Sequence, residues 1–440
     1  MSEITKFLMT ETVGREIRDA IKGVEAAIKM RRLETNVIYG FHVDPNESDP
    51  AAAVTYLVDA VGMTPAKMDY ASPAFSYGSW KDAFFMPKPC MLSRAGIVDY
   101  YLNSSDYSLR EDGEASDIAN ESYDGNAMME WGQNGKKIWI KVVADDAGDG
   151  YSVYIADYQA DDGFHAWSFV NNQGKLADHF YTPIYGGSLD ENDCLRSLSG
   201  KQLMASKNAQ AEIAYATANN NGNDVLWFTE TFSDHILIQF LLVLMGKSLD
   251  SQSVFGRGIE TGSQSACEAY RTGQLNDKGL FFGYNDSTHT VKVFGMENYY
   301  ACQWRRKAGC VNDNGTYRIK LTYGTQDGSS VNGYPTTALT TAATFAGYIS
   351  AGSVPAASAS YIKRMRVTPQ GAIVPGEVGG SSSTYYCDGM WSNNGQVDYA
   401  SFGGDSGNGA YCGLFAWAVN NTASAASWII GASLSCKPLA

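Results

Sequence analysis

The most apolar run of the chain, Ile236 to Met245 (ILIQFLLVLM), dictates more about the fold than any other stretch. It is about half the ~20 residues that a helix needs to cross a bilayer. Read as a helix from Asp234 to Met245 and ended by Gly246, it is apolar on all sides and has to be buried within a folded core.

Composition fits a chain built around such a core. The 440 residues are 44% hydrophobic, so a large interior can form; only 18% are charged, and Gly (45) and Tyr (27) are abundant. That mixture suits a loop-rich, β-containing fold with an aromatic surface. The net charge of −14 removes the general attraction to phosphate on which nucleic-acid binding depends, so DNA and RNA are not expected as partners. The N-terminal stretch MSEITKFLMTETVGREIRD is amphipathic, with neither an unbroken apolar core nor a small-residue cleavage site, so the chain is expected to start in a cytoplasm. The eight cysteines contain no CxxC pair, which favours free, mostly buried thiols; pairing among Cys387, Cys412 and Cys436 would leave one over.

Residues 1 to about 33 read as one amphipathic helix. Val13, Ile17, Ile21, Val24 and Ile28 make a narrow apolar stripe that suits either a short coiled-coil seam or packing on the chain's own domain. A second helix is expected after Asp49 and Pro50, burying Val54, Leu57, Val58 and Val61 and ending at Gly62. Four prolines (Pro65, Pro73, Pro87, Pro89) then interrupt the chain. From about Trp80 onward, short β runs alternate with turns, among them Lys137–Ala144 and Tyr317–Gly324, broken by a helix near Ala209–Asn219 and by the apolar one. Thr336–Gly380 reads as a loop or weak strand region. The expected class is α+β: an N-terminal helix (1–35), a helix and linker (36–79), and a main domain (80–440).

Catalytic constellations are not visible. The five histidines have no metal-ligand spacing, and there is no HExxH, GxSxG, phosphate loop or dinucleotide fingerprint. The acidic loop DDAGDGY (Asp145–Tyr151) has Ala147 at its third position and lacks the distal glutamate of a calcium loop. Asp161 with Asp162, or Asp190 with Glu191 and Asp193, are neighbouring acids of the kind that loops usually expose. The expectation is therefore no enzyme, no cofactor and no metal. In VFGMENYYACQWRRKAG (Val293–Gly309) the expected arrangement is a core strand plus turn, with Arg305 and Arg306 held by carboxylates.

Several segments, in order, resemble a known family: GFHVDPNESDPAAAVTYLVDAVGMTP, MPKPCML, VDYYLNSSDY, NAMMEW, FGMENYYACQWRRKAG and the C-terminal YYCDGMWSNNGQVDYASFGGDSGNGAYCGLFAWAVNN…ASWIIGASLSCKP. They are similar to bacteriophage virion proteins that end in a C-type-lectin fold of the formylglycine-generating-enzyme type, including variable proteins diversified by retroelements. The chain carries Tyr300 where a Trp is usual, and Ile430-Gly431-Ala432-Ser433 where such targets commonly end in Ile-Gly-Ala-Arg; no Glu-Pro-Asn or Gln-Pro-Asp sugar motif occurs.

The resemblance implies a C-type-lectin-like domain with a variable ligand-binding region over 385–438. Gly403, Gly404, Gly409 and Gly413 would brace it with positive φ, while Trp428, Ile430 and Leu434 point inward. The displayed set would be Ser392, Gln396, Asp398, Ser401, Asp405, Ser406, Asn408, Tyr411, Ala416, Trp417 and Asn420, a vocabulary suited to adaptable recognition. The implied role is a virion receptor-binding protein that attaches to a bacterial surface protein or glycan. A structural decoration or baseplate component, and more remotely a glycan-degrading enzyme, are the alternatives. The N-terminal helix would join other virion proteins and seed a homo-oligomer, most simply a trimer, without membrane insertion.

Overall fold

A computed structural model describes residues 36–145, 150–220, 225–321, 323–324, 348–369 and 371–438. The expected N-terminal helix (1–35), the centre of the DDAGDGY loop and part of Thr336–Gly380 lie outside the described residues. Four helices occur among the described residues: α1 (Ala209–Thr217), α2 (Phe232–Gly246), α3 (Ser251–Phe255) and α4 (Ser263–Ala269).

The α+β expectation is corrected by this structure, in which 34% of residues are in strands and 12% in helices. One source of the error is visible at 49–62. Val54–Val58 is a strand, not a helix: Val54 and Tyr56 point inward, whereas Val58 and Val61 are 51% and 67% exposed. The 3.6-residue pattern of valines there is accidental, and the β-branched sequence VTYLV takes the pleated form that it packs best. Asp49 does cap, but it caps a turn, accepting from the amides of Ala51 and Ala52 at 2.8 and 3.0 Å.

Three larger sheets carry the fold. A four-stranded antiparallel sheet runs in the order Val54–Val58, Ile38–Val43, Tyr151–Ala156, Trp139–Ala144, so residues 36–79 are tied by strand pairing to the middle of the chain. A six-stranded sheet runs Val225–Thr229, Leu434–Pro438, Phe180–Pro183, Gly125–Trp131, Lys88–Ser93, Val98–Tyr101. In the nine-stranded sheet the order is Tyr348–Ser353, Thr316–Lys320, Trp304–Asp313, Val397–Phe402, Trp417–Val419, Gly389–Ser392, Ser360–Val367, Ile373–Val378, with Ile430–Gly431 parallel beside Trp304.

Helix α2 is the post between them. All fifteen of its residues are buried, as the apolar run requires, and it ends at Gly246 with Lys247 in the left-handed region (φ 49°). Phe240 meets Phe41 of the four-stranded sheet, and Phe232 stacks on Phe402 and meets Trp417 edge-on in the nine-stranded one. Tyr56 donates to the Leu244 carbonyl at 2.7 Å, and Gln239 donates to the Leu414 carbonyl at 3.1 Å.

Charge is buried where the strand Trp304–Asp313 crosses this core. The arginines are held by carboxylates: Arg306 pairs with Glu212 of α1 at 2.5 Å, and Arg305 and Lys307 share Glu230 at 3.6 and 2.9 Å. Such pairs are hard to break singly, because the surviving charge stays in a low-dielectric interior. Glu212→Gln is therefore expected to destabilise the chain by about 3–5 kcal/mol, read from urea unfolding at neutral pH. A loss within experimental error of zero would show that Arg306 does not depend on Glu212.

Candidate functional site

The C-terminal region 389–438 contains only three charged residues, Asp398, Asp405 and Lys437, and all three are buried. Its surface is consequently neutral, and aromatic rings dominate one part of it. Gly389–Ser392 lies between Trp417–Val419 and Ser360–Val367, and Tyr361 pairs directly with Gly389. Because Gly389 has no side chain, Tyr411 can settle over it. Tyr411 stacks on Tyr361 with ring centres 4.3 Å apart and planes at 19°, and meets Trp391 edge-on at 5.5 Å. Trp391 in turn meets the buried Trp304 at 5.4 Å. Tyr361, Trp391 and Tyr411 are each partly exposed, whereas Met390, between Gly389 and Trp391, points into the core.

The loop that presents Tyr411 is pinned from below. Gly403, Gly404, Gly409 and Gly413 all have positive φ (98°, 88°, 57° and 148°). At Gly413 a Cβ would also stand 2.2 Å from the Asp388 carboxylate, so only glycine fits there. Ser406 and Ser263 exchange hydrogen bonds: the Ser263 amide donates to the Ser406 carbonyl at 2.7 Å, and the Ser406 hydroxyl donates to the Ser263 carbonyl at 2.6 Å. Asn408 accepts from the Asp405 amide at 2.8 Å, and the Leu414 amide donates to Ser251 at 3.0 Å. Asp388 accepts from the Phe415 amide at 2.6 Å, and complete burial pushes its pKa well above the usual carboxylate range.

Of the eleven residues expected on the surface, five are partly exposed: Ser392, Gln396, Asn408, Tyr411 and Asn420. The other six are buried and present no side chain to a ligand: Asp398, Ser401, Asp405, Ser406, Ala416 and Trp417. Trp417 illustrates the reason. In a strand whose neighbours on both sides are paired, alternate residues face α2, and Trp417 packs on Phe232, Phe402 and Tyr317 there. Ser392 sits beside a shallow depression of about 370 Å³ with Ala356, Ala357, Ser358 and Asn394, and its hydroxyl donates to the Pro355 carbonyl at 2.8 Å. Sequence reasoning missed Trp391 and Tyr361. Alternation from the buried Met390 pointed to Trp391, but no local signal places Tyr361 against Tyr411 across the sheet.

Among the described residues no group of three or more His, Cys, Asp or Glu is placed to hold a metal ion. No helix among them is long and apolar enough to cross a membrane. His235 is buried, bonds Tyr299 through Nδ1 at 2.9 Å, and is pushed far below its ordinary pKa by burial, which keeps it neutral. The three rings offer stacking surface flanked by neutral hydrogen-bonding groups. No protein-family model matches the chain, and no curated protein is similar to it.

Two measurements follow from this geometry. A methyl group at position 389 would lie 2.7 Å from the Tyr411 Cβ and 2.9 Å from the Trp391 ring, so Gly389→Ala should cost about 1–3 kcal/mol in urea unfolding and shift the tryptophan emission. Unchanged stability and emission would contradict the contact. Asp398, beside Gln396, is pushed by burial from 3.8 up to about 6. Folded chains then keep a proton that unfolded chains have released, so this contribution is fully present below pH 3.8 and is lost as pH rises through about 6. Asp398→Asn should flatten the fall of Tm over that window; an unchanged slope would count against it.

Proposed function

We propose that the chain is a recognition protein that binds a bacterial surface receptor through the Tyr361–Tyr411–Trp391 surface, as the attachment protein of a virion. The observation that carries this reading is a neutral patch of three partly exposed rings on a frame that leaves them little freedom. Aromatic rings held in this way supply a large contact area at small entropic loss, and flanking hydroxyls and amides supply direction. Ser392, Gln396, Asn408 and Asn420 are the flanking polar groups within the expected region. The motif resemblance supports the virion setting, and the three rings, themselves uncharged, suit a receptor group recognised by stacking.

Purified protein, added in excess to susceptible cells, is expected to block adsorption of the virions that carry it. Trp391→Ala and Tyr411→Ala should each weaken that block by about 10- to 100-fold, the range of a central aromatic anchor. Full adsorption at saturating protein would overturn the reading.

A patch of this size binds weakly as a single copy, so useful attachment calls for several copies on one particle. We infer a homo-oligomer, most simply a trimer, with the aromatic patches facing outward. Light scattering at micromolar concentration checks it, and a mass of 47.7 kDa, that of one chain, contradicts it.

A further inference from the structure

Two cysteines share a small buried cluster beneath the loop that carries Ser406. Cys267 is the only buried residue of α4, and Cys302 lies five residues after Glu297; both belong to one small buried cluster with Leu203, Ile259 and Tyr270. Their proximity within it lowers the Cys267 pKa below that of an ordinary thiol and raises that of Cys302. The pairing differs from that of Cys90 and Cys436, which share another cluster but sit on strands separated by two others in the six-stranded sheet.

Backbone strain marks the same place. Ala301 and Cys302 have φ of 63° and 60°, a region that residues with a Cβ seldom occupy, and such strain gathers at sites with a use for it. Cys302 is held there by its amide, which donates to the Ile259 carbonyl at 2.7 Å, and by its carbonyl, which accepts from the Ser406 amide at 3.1 Å. On the other side, Cys267 lines a cavity of about 100 Å³ with Gln202, Ser206, Gln264 and Trp428. Helix α4 is seven residues long and otherwise outward-facing, so local opening suffices to admit a small reagent.

We propose that Cys267 and Cys302 are an oxidisable pair, closed into a disulfide by a small-molecule disulfide such as glutathione disulfide. The Cys267 thiolate attacks one sulfur of the reagent, whose S–S bond breaks and releases one thiol. The Cys302 thiolate then attacks the Cys267 sulfur of the mixed disulfide and releases the second thiol. The protein loses two electrons and two protons, and the reagent gains both as two thiols. The bond staples α4 to the strained loop and, through the Cys302 carbonyl, to the base of the Gly403–Gly413 turn.

The test is covalent and stands apart from any ligand. Full-length reduced protein is equilibrated with glutathione disulfide, trapped with a thiol alkylating reagent, and mapped as peptides without reduction. The expected result is loss of two of the eight thiols with a single Cys267–Cys302 cross-link; Cys267→Ser should lose none of its remaining thiols, and Cys302→Ser should lose only that of Cys267, held as a mixed disulfide with glutathione. Closing a loop of roughly 35 residues should also raise the Tm of the oxidised chain by about 4 °C. Retention of all eight thiols, or a cross-link between any other two cysteines, overturns the proposal.

Discussion

A helix buried on every side sets the terms for the rest of this molecule. Helix α2 has no solvent face, so its end groups and its few polar side chains need protein partners. Thr231 caps its start, Lys247 closes its end, Asp234 meets Lys437 at 3.1 Å, and Gln239 reaches the Leu414 carbonyl. Thr231 and Lys247 flank the helix itself, whereas Lys437 and Leu414 come from distant parts of the chain. Wrapping one apolar helix therefore recruits the four-stranded sheet on one side, the nine-stranded sheet on the other, and the final strand Leu434–Pro438 at its N-terminal end.

The same requirement explains why the surface patch is stiff. Strands of the nine-stranded sheet commit one face to α2, through Met390, Phe402 and Trp417, which leaves Trp391 and Tyr361 on the other side. Tyr411 is then positioned by contacts below it: the Ser406–Ser263 exchange, the Asp405 amide bonded to the Asn408 side chain, and the space vacated at Gly389. A second fixed point is Glu297. Its carboxylate is buried and accepts from the amides of Gly273, Gln274 and Leu275 at 2.9, 3.2 and 2.9 Å, ordering the connection that leads from α4 back to the core.

How much of this was legible in the sequence depended on how local the determining interactions are. The apolar helix, its Gly246 end, α1 and the positive-φ glycines could be read directly, because composition and turn chemistry act over a few residues. The carboxylate partners of Arg305 and Arg306 were expected as a type, but not as Glu230 and Glu212. The strand at Val54–Val58 was mistaken for a helix because four valines and leucines matched a helical spacing by chance, and only pairing with Ile38–Val43 decides the matter. Six of the eleven displayed residues proved buried, since chemical type does not tell which face of a paired strand a residue occupies. Tyr361 was invisible for a different reason: its partner Tyr411 is brought to it only by the strand order of the sheet.

The central claim is that the Tyr361–Tyr411–Trp391 patch is where a partner docks. Hydrogen exchange on the full-length protein, with and without envelope material from susceptible cells, tests it most directly. Slowed exchange is expected in Ser360–Ile362, Gly389–Gln396 and Asp405–Cys412, with the amides of α2 unchanged. Protection confined to another surface, such as the cleft lined by Phe75, Tyr77 and Phe281, would contradict the account.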